Sequence, residues 1–378
     1  MKIALFVKDY AIGKAFSKNG IPTKSGAEFH AERHAKALMA LGHEVTIFAK
    51  KRYRFTKIRE NIDGIDLVRL HSGFRWMEII LRFLTTHRDI DTVYVLGTPK
   101  FAVWGILMAR FFHKPVTLAL TGIAEKFDGK NSWRDRVFAS CDWYLAMSQE
   151  IRRAFLRLGD IPEEKIIVQP QGIDTAAYPS AAAEEKQKLR SEHGLPPDAP
   201  VLLFCARVVL AKGIDTLERA WEILSKTFPA AHLVIVGGGD NALLDELRSM
   251  SERMDHRIHV IGEVAHTQPY YQMADIYIFP SRHEGLPNTL MEAMATGLPS
   301  VVSDIGGCED LIKDDVSGYR VDAERPDLFA ERIMNLLVDE EKRKTFGARA
   351  AVFVRAHCDI HAIAKELEEV LARPARRG

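Results

Sequence analysis

FPSRHEGLPNTLMEAMATGLPSVVSD, residues 279–304, is the stretch on which the reading of this chain turns. A short apolar strand ends at Pro280 and Glu284-Gly285 follow; Pro287 stands where the first turn of a helix tolerates proline, and Gly297 stands where a helix stops. A helix bounded in this way offers the backbone N–H groups of its first residues, Asn288, Thr289 and Leu290, and the positive end of its macrodipole, an arrangement suited to a diphosphate. Gly285 lets a ligand approach the backbone closely. Glu284 in the loop and Glu292 inside the helix are placed so that one carboxylate can reach a sugar while the other reaches a ribose. The same residues also read as an ordinary strand, loop and helix with two solvated glutamates. The gathering of Gly, Pro and Glu at the carboxyl end of a parallel strand, where open α/β sheets bind ligands, favours the binding site.

Outward from this segment, short apolar runs alternate with amphipathic stretches, the pattern of βα units building parallel sheets. The expected strands are Ile3–Val7, Glu44–Ala49, Asp66–Leu70, Thr92–Leu96, Pro115–Leu120, Trp143–Ala146 and Ile166–Gln169, then Val201–Cys205, His232–Val236, Ile258–Ile261, Ile276–Phe279 and Ser300–Ser303. They form two doubly wound α/β halves, a first domain over 1–178 and a second over 199–356. Residues 179–198, with the alanine run Ala181–Ala183 and the pair Pro196-Pro197, read as a linker holding a short helix from Glu184 to Glu192. Residues 357–378 close the chain with an amphipathic helix carrying Ile363, Leu367, Val370 and Leu371 at helical spacing.

Composition narrows the function classes. With 47% hydrophobic and 27% charged residues in 378, the chain is a folded globular protein of two or three domains. Its 52 Lys and Arg against 51 Asp and Glu leave a charge of +1, so no global field draws it to nucleic acid, and an anionic partner must be held locally. Cys141, Cys205, Cys308 and Cys358 lie far apart without CxxC spacing, suggesting neither a zinc site nor a disulfide framework. No apolar run approaches the roughly 20 residues of a membrane span, and the start lacks a signal-peptide core, so a cytoplasmic location is expected.

The E-x7-E pattern of Glu284 and Glu292 resembles the donor-binding motif of family-4-type retaining glycosyltransferases, whose GT-B fold is two Rossmann-like domains facing across a cleft. Other matches follow in the family's order: Ser25-Gly26-Ala27-Glu28 with LMALGHEVTIFA, PQGID at Pro170–Asp174, Arg207-x4-Lys212-Gly213, IVGGGD at 235–240, and GEV at 262–264. The resemblance implies that Arg207 and Lys212 touch the donor diphosphate, two fixed cations being what a leaving nucleoside diphosphate needs without a metal. It implies that Glu292 binds the ribose hydroxyls, Glu284 contacts the transferred sugar, Val264 lines the base pocket, and Gly26 brings N–H groups toward the phosphates. Thr121 stands where many relatives carry a histidine before glycine, and since threonine is no acid or base near neutral pH, Glu125 and Asp128 are the alternative carboxylates for orienting the acceptor. The resemblance further implies that the final helix braces the first domain. The implied activity is retaining transfer of a hexose-type sugar from a nucleoside diphosphate sugar, UDP-sugar foremost, to a hydroxyl of a bacterial surface glycan or lipid-linked intermediate, with no metal or other cofactor. A nucleotide-sugar epimerase and a non-catalytic nucleotide-sugar-binding subunit are the rival readings.

Four further motifs have plainer readings. GGGDNA at 237–242 formally fits a dinucleotide fingerprint, but it follows the second strand of its half, where that fingerprint does not belong. His30 and His34 flank Glu32 on a helix and read as a solvated face rather than a metal site. Asp89-Ile90-Asp91 reads as a polar cap before a strand. KKRYRFTKIR, Lys50–Arg59, is the candidate for peripheral membrane contact, against a solvated loop, while FRWMEIILRF, Phe74–Phe83, reads as a helix packed on a sheet.

Overall fold

Strands buried on both faces are unbroken apolar runs, and VTLAL (Val116–Leu120) and VLLFC (Val201–Cys205) are buried along their whole length. In the computed structural model, which describes residues 1–8, 10, 26–50, 57–71, 75–120, 133–157 and 161–375, such runs assemble into two sheets. The chain divides into two compact units, Met1–Gly172 together with Ile360–Gly378, and Ile173–Asp359.

The first unit holds β1 (Lys2–Phe6), β2 (Glu44–Lys50), β3 (Arg59–Ile62), β4 (Ile65–Leu70), β5 (Thr92–Leu96), β6 (Val116–Leu120), β7 (Trp143–Ala146) and β8 (Ile166–Val168). They lie in the order β3-β4-β2-β1-β5-β6-β7-β8. All pairings are parallel except β3 with β4. That pair is a hairpin turned by Asp63-Gly64, both at positive φ (51° and 86°), with the Gly64 N–H donating to Asn61 Oδ1 at 3.0 Å. β3 goes beyond the expected strands because its residues, RENI, lack an apolar run. On one face of the sheet Ile3, Leu5 and Val7 pack with Ala31, Ala35 and Leu38 of the helix Gly26–Ala40 and with Leu367, Val370 and Leu371 of the final helix, Ile360–Leu371.

The second unit holds β9 (Val201–Cys205), β10 (His232–Val236), β11 (Ile258–Gly262), β12 (Ile276–Phe279), β13 (Ser300–Ser303) and the short edge strand β14 (Tyr319–Val321). All run parallel in the order β11-β10-β9-β12-β13-β14, the doubly wound arrangement with its first strand in the middle. Residues 179–198, expected as a linker, belong to this unit. Their helix Ala183–Glu192 presents Lys186 and Arg190 to Asp275, each at 2.7 Å, and the same carboxylate accepts the Val201 N–H at 2.7 Å. A segment anchored by two ion pairs at the foot of β9 is part of a fold, and the chain passes between the units at Gly172–Ile173 and Asp359–Ile360 instead.

Candidate active site

Strand order places the site. In the second unit the winding reverses between β9 and β12, and an open parallel sheet binds ligands at such a switch point, outside the carboxyl ends of its strands. The segment leaving β9 carries Arg207 and Lys212; the segment leaving β12 carries Glu284, Gly285 and the start of the helix Asn288–Thr296. Arg207 is exposed, whereas Lys212 and Glu284 are each mostly covered and form an ion pair. Glu284 Oε1 also accepts from the fully buried Ser281 hydroxyl at 2.8 Å, and the Lys212 ammonium lies 5.7 Å from the Phe279 ring centroid.

Two devices hold the segments together. Arg282 donates to both Asp215 oxygens at 2.7 and 2.8 Å, to the Leu210 carbonyl at 2.7 Å, and to Glu324 at 2.7 Å. This grip holds the Asp215 carboxyl below its ordinary range. Gly213 sits at φ +71°, and a Cβ there would stand 1.9 Å from the Pro280 carbonyl oxygen, so only glycine lets the two loops meet this closely.

The helix Asn288–Thr296 starts behind Pro287, which supplies no side-chain cap, and the Met291 N–H to Pro287 carbonyl bond is its first turn. The Thr289 and Leu290 amides precede that bond at the positive end of the macrodipole. Thr289 Oγ1 accepts from the buried Tyr277 hydroxyl at 2.8 Å, which fixes this turn on β12. Glu292, 7% exposed, accepts from the fully buried Tyr271 hydroxyl at 3.0 Å. Burial pushes the nearby Cys205 thiol up to about 12, leaving it protonated and unreactive.

The glycines of 237–239 explain themselves by packing. A Cβ at Gly237 would stand 1.9 Å from the Ala206 carbonyl oxygen and one at Gly239 2.1 Å from that of Val208. Val208 N–H donates to Gly238 and Asp240 N–H to Val208, each at 2.9 Å, so this run braces the Arg207 loop. Asp240 then caps the following helix through the Ala242 N–H. Val264, half-buried, follows β11 at the same edge of the sheet.

The sheet therefore brings Arg207, Lys212, Val264, Glu284, Gly285, Asn288, Thr289, Leu290 and Glu292 to one edge of one unit. Gly26 opens the helix Gly26–Ala40 of the other unit, and Thr121, Glu125 and Asp128 lie outside the described residues. Sequence reasoning passed over Ser281, Arg282, Tyr271 and Tyr277. The first two stand inside the stretch that decided the fold, just ahead of Glu284, so their place was visible though their partners were not.

One sequence expectation is corrected in the first unit. His30 and His34 are each 2% exposed, not solvated. Ala37 on the next turn packs against Ile360 and Ala364, so the final helix covers this side of Gly26–Ala40. His34 lies 3.0 Å from the Tyr94 hydroxyl and 2.9 Å from the Gln171 carbonyl oxygen. Asp89 and Asp91 act as the expected polar cap, pairing with the Lys2 ammonium and accepting the Lys2 N–H. All four cysteines are buried and free. No described helix is long and apolar enough to cross a membrane.

Comparison with known proteins agrees with this geometry. The model described as "Glycosyltransferase Family 4" matches residues 24–177 and that described as "Glycosyl transferases group 1" matches residues 185–353. A D-inositol 3-phosphate glycosyltransferase of Jonesia denitrificans is 32% identical over 88% of this chain and 87% of its own, and one of Xylanimonas cellulosilytica 31% identical over 76% and 67%. With other curated relatives the shared stretch spans as little as 56% of the relative's length. The crystal structure of Anabaena HepE in complex with UDP shares the fold at a TM-score of 0.80 and 20% identity, covering 98% of this chain and 100% of that one. Both halves of the chain thus carry the same kinship, and it belongs to the family-4, group 1 glycosyltransferases of GT-B fold.

Proposed function

We propose that this glycosyltransferase moves a hexose from a nucleoside diphosphate sugar, UDP-sugar foremost, to a hydroxyl of a glycan or lipid-linked acceptor with retention of configuration. The observation that carries the reading is the meeting of Lys212, Glu284 and the uncapped start of Asn288–Thr296 at the switch point of the second sheet. In this reading Arg207 and Lys212 take the diphosphate together with the first-turn amides, and that positive charge stabilises the leaving nucleotide without a metal. Glu284 neutralises Lys212, so the diphosphate competes with this carboxylate for the ammonium and frees it toward the sugar. Glu292, oriented by Tyr271, holds the ribose hydroxyls, and Val264 lines the base site. The UDP complex of HepE supports UDP, and a relative named as a GDP-mannose-dependent alpha-(1-6)-phosphatidylinositol monomannoside mannosyltransferase supports a lipid-linked acceptor and makes a GDP-sugar the second donor to test.

Melting curves with UDP, GDP and ADP sugars, repeated with a chelator, test the donor assignment. Stabilisation by a UDP-sugar that survives chelation is the expected result; the assignment fails if no nucleotide sugar shifts the melting temperature. The anomeric configuration of the transfer product, read by NMR, tests retention.

A further inference from the structure

The basic run Lys50–Arg59, expected as a membrane contact, lies mostly outside the described residues, and its Arg59 is tied to Asp66 at 2.8 Å. Tyr277, by contrast, is described throughout and carries a buried phenol at the donor site. It stands in β12, the strand IYIF between β9 and β13, and every residue of that strand is buried. Packing asks only for an apolar side chain there, and Phe279, on the same side of the strand with its ring 5.9 Å away, supplies one. A hydroxyl on a fully buried ring costs free energy unless it is hydrogen-bonded. This one has two acceptors within reach, Thr289 Oγ1 at 2.8 Å and the Cys205 carbonyl oxygen at 3.3 Å. Burial drives the phenol well above its usual pKa range, so the proton stays in place to be donated.

Both acceptors belong to the segments that meet at the switch point. Cys205 ends β9, two residues ahead of Arg207, and Thr289 is the second residue of the helix Asn288–Thr296, whose start has no side-chain cap. A phenol has a single hydrogen, and the shorter contact takes it. Thr289 Oγ1 is then engaged as an acceptor, while its own hydrogen has no acceptor among the described residues. Tyr271 cannot stand in for Tyr277, because its hydroxyl is given to Glu292 at 3.0 Å. We infer that Tyr277 is a positioning residue for the donor diphosphate, holding Thr289 so that its hydroxyl, together with its amide, donates to a phosphate oxygen. The phenol, the threonine hydroxyl and the phosphate form one chain of hydrogen bonds, each polarising the next. This rests on the donor site proposed above and adds to it a contact that phenylalanine at 277 removes while filling the same space.

The test is titration calorimetry of the full chain and its variants with UDP, and with GDP in parallel. Tyr277→Phe and Thr289→Val each raise the dissociation constant of the nucleotide that wild type binds about fivefold or more, the effect of losing one hydrogen bond toward a charged group. The double variant loses no more than about twofold beyond either single, because the two groups act in series, and Thr289→Ser, which keeps the hydroxyl, stays within about twofold of wild type. A phenol with a merely structural role would lower the melting temperature and leave these affinities unmoved. Wild-type affinity in Tyr277→Phe overturns the inference, as do losses that add in the double variant or that Thr289→Ser does not spare. If Tyr277→Phe does not fold, the half-buried Thr289 decides alone: wild-type affinity in Thr289→Val, or equal losses in Thr289→Val and Thr289→Ser, overturns it. Wild type that binds neither nucleotide overturns the donor site and this inference with it, whereas wild type that binds a nucleotide no better than the variants do overturns the inference alone.

Discussion

Arg282 grips Asp215 with both prongs of its guanidinium, 2.7 and 2.8 Å from the two carboxylate oxygens, and so joins the loop leaving β12 to the segment leaving β9. Both side chains are partly exposed, so the pair itself contributes only about 1 kcal/mol to stability. Its larger effect is on position. Arg282→Ala is expected to lower the melting temperature by only a few degrees while reducing kcat/KM at least tenfold, about 1.4 kcal/mol of transition-state stabilisation. The pH dependence has a definite sign. A carboxyl depressed in the folded state stabilises fully above its unfolded pKa, about 3.9, and loses that contribution as pH falls through the lower folded value. The stability gap between wild type and Arg282→Ala therefore narrows below about pH 4, measured by urea unfolding across pH.

Gly213→Ala should be severe. The added methyl meets the Pro280 carbonyl at 1.9 Å in a left-handed backbone conformation, so a loss of about 3 kcal/mol or more is expected in urea unfolding. Full retention of stability would mean that the two loops part freely.

Glu292→Ala and Lys212→Ala are each expected to weaken donor affinity or turnover at least tenfold, about 1.4 kcal/mol. Tyr271→Phe removes the buried donor to Glu292 and should raise the dissociation constant for the donor nucleotide with a smaller effect on turnover at saturation. Titration calorimetry with UDP and steady-state kinetics separate these effects. Wild-type affinity in both alanine variants would sink the assigned donor site.

Acid sensitivity between pH 6.5 and 4 is expected from the first unit. Burial drives His34 down to about 4 and His30 well below the usual imidazole range. Folding keeps both rings neutral while the unfolded chain takes up protons below about pH 6.5, so stability is full above that value and falls toward pH 4 by up to about 1.4 kcal/mol per pH unit per histidine. Urea midpoints of wild type and His34→Gln, compared at pH 7.5 and 5, check it: the variant should show the shallower slope.

Much of this was legible in local pattern. Parallel strands covered on both faces are apolar runs whatever their neighbours, and twelve of the fourteen described strands could be read directly. β3 and β14 were not, being short edge strands whose pairing comes from an adjacent strand; for β3 the pair Asp63-Gly64 was the available signal. The histidines misled for a related reason. An i,i+4 pair on a helix reads as solvated when one apolar side is enough to hold the helix, but Gly26–Ala40 is covered a second time by Ile360–Leu371 from the far end of the chain.

By itself the sequence determined the α/β class, the bounded helix start at 288 and the residue types gathered around it, because strand, loop and helix propensities act over a few residues. Tertiary structure decided that Lys212 meets Glu284, that Arg282 meets Asp215 and that Tyr271 meets Glu292. The first two of these come together because β12 hydrogen-bonds to β9 rather than to β11, its predecessor in the chain, and a pairing between strands so far apart in sequence is settled by burial of the whole sheet, which no local pattern encodes; the third joins the helices on either side of β12.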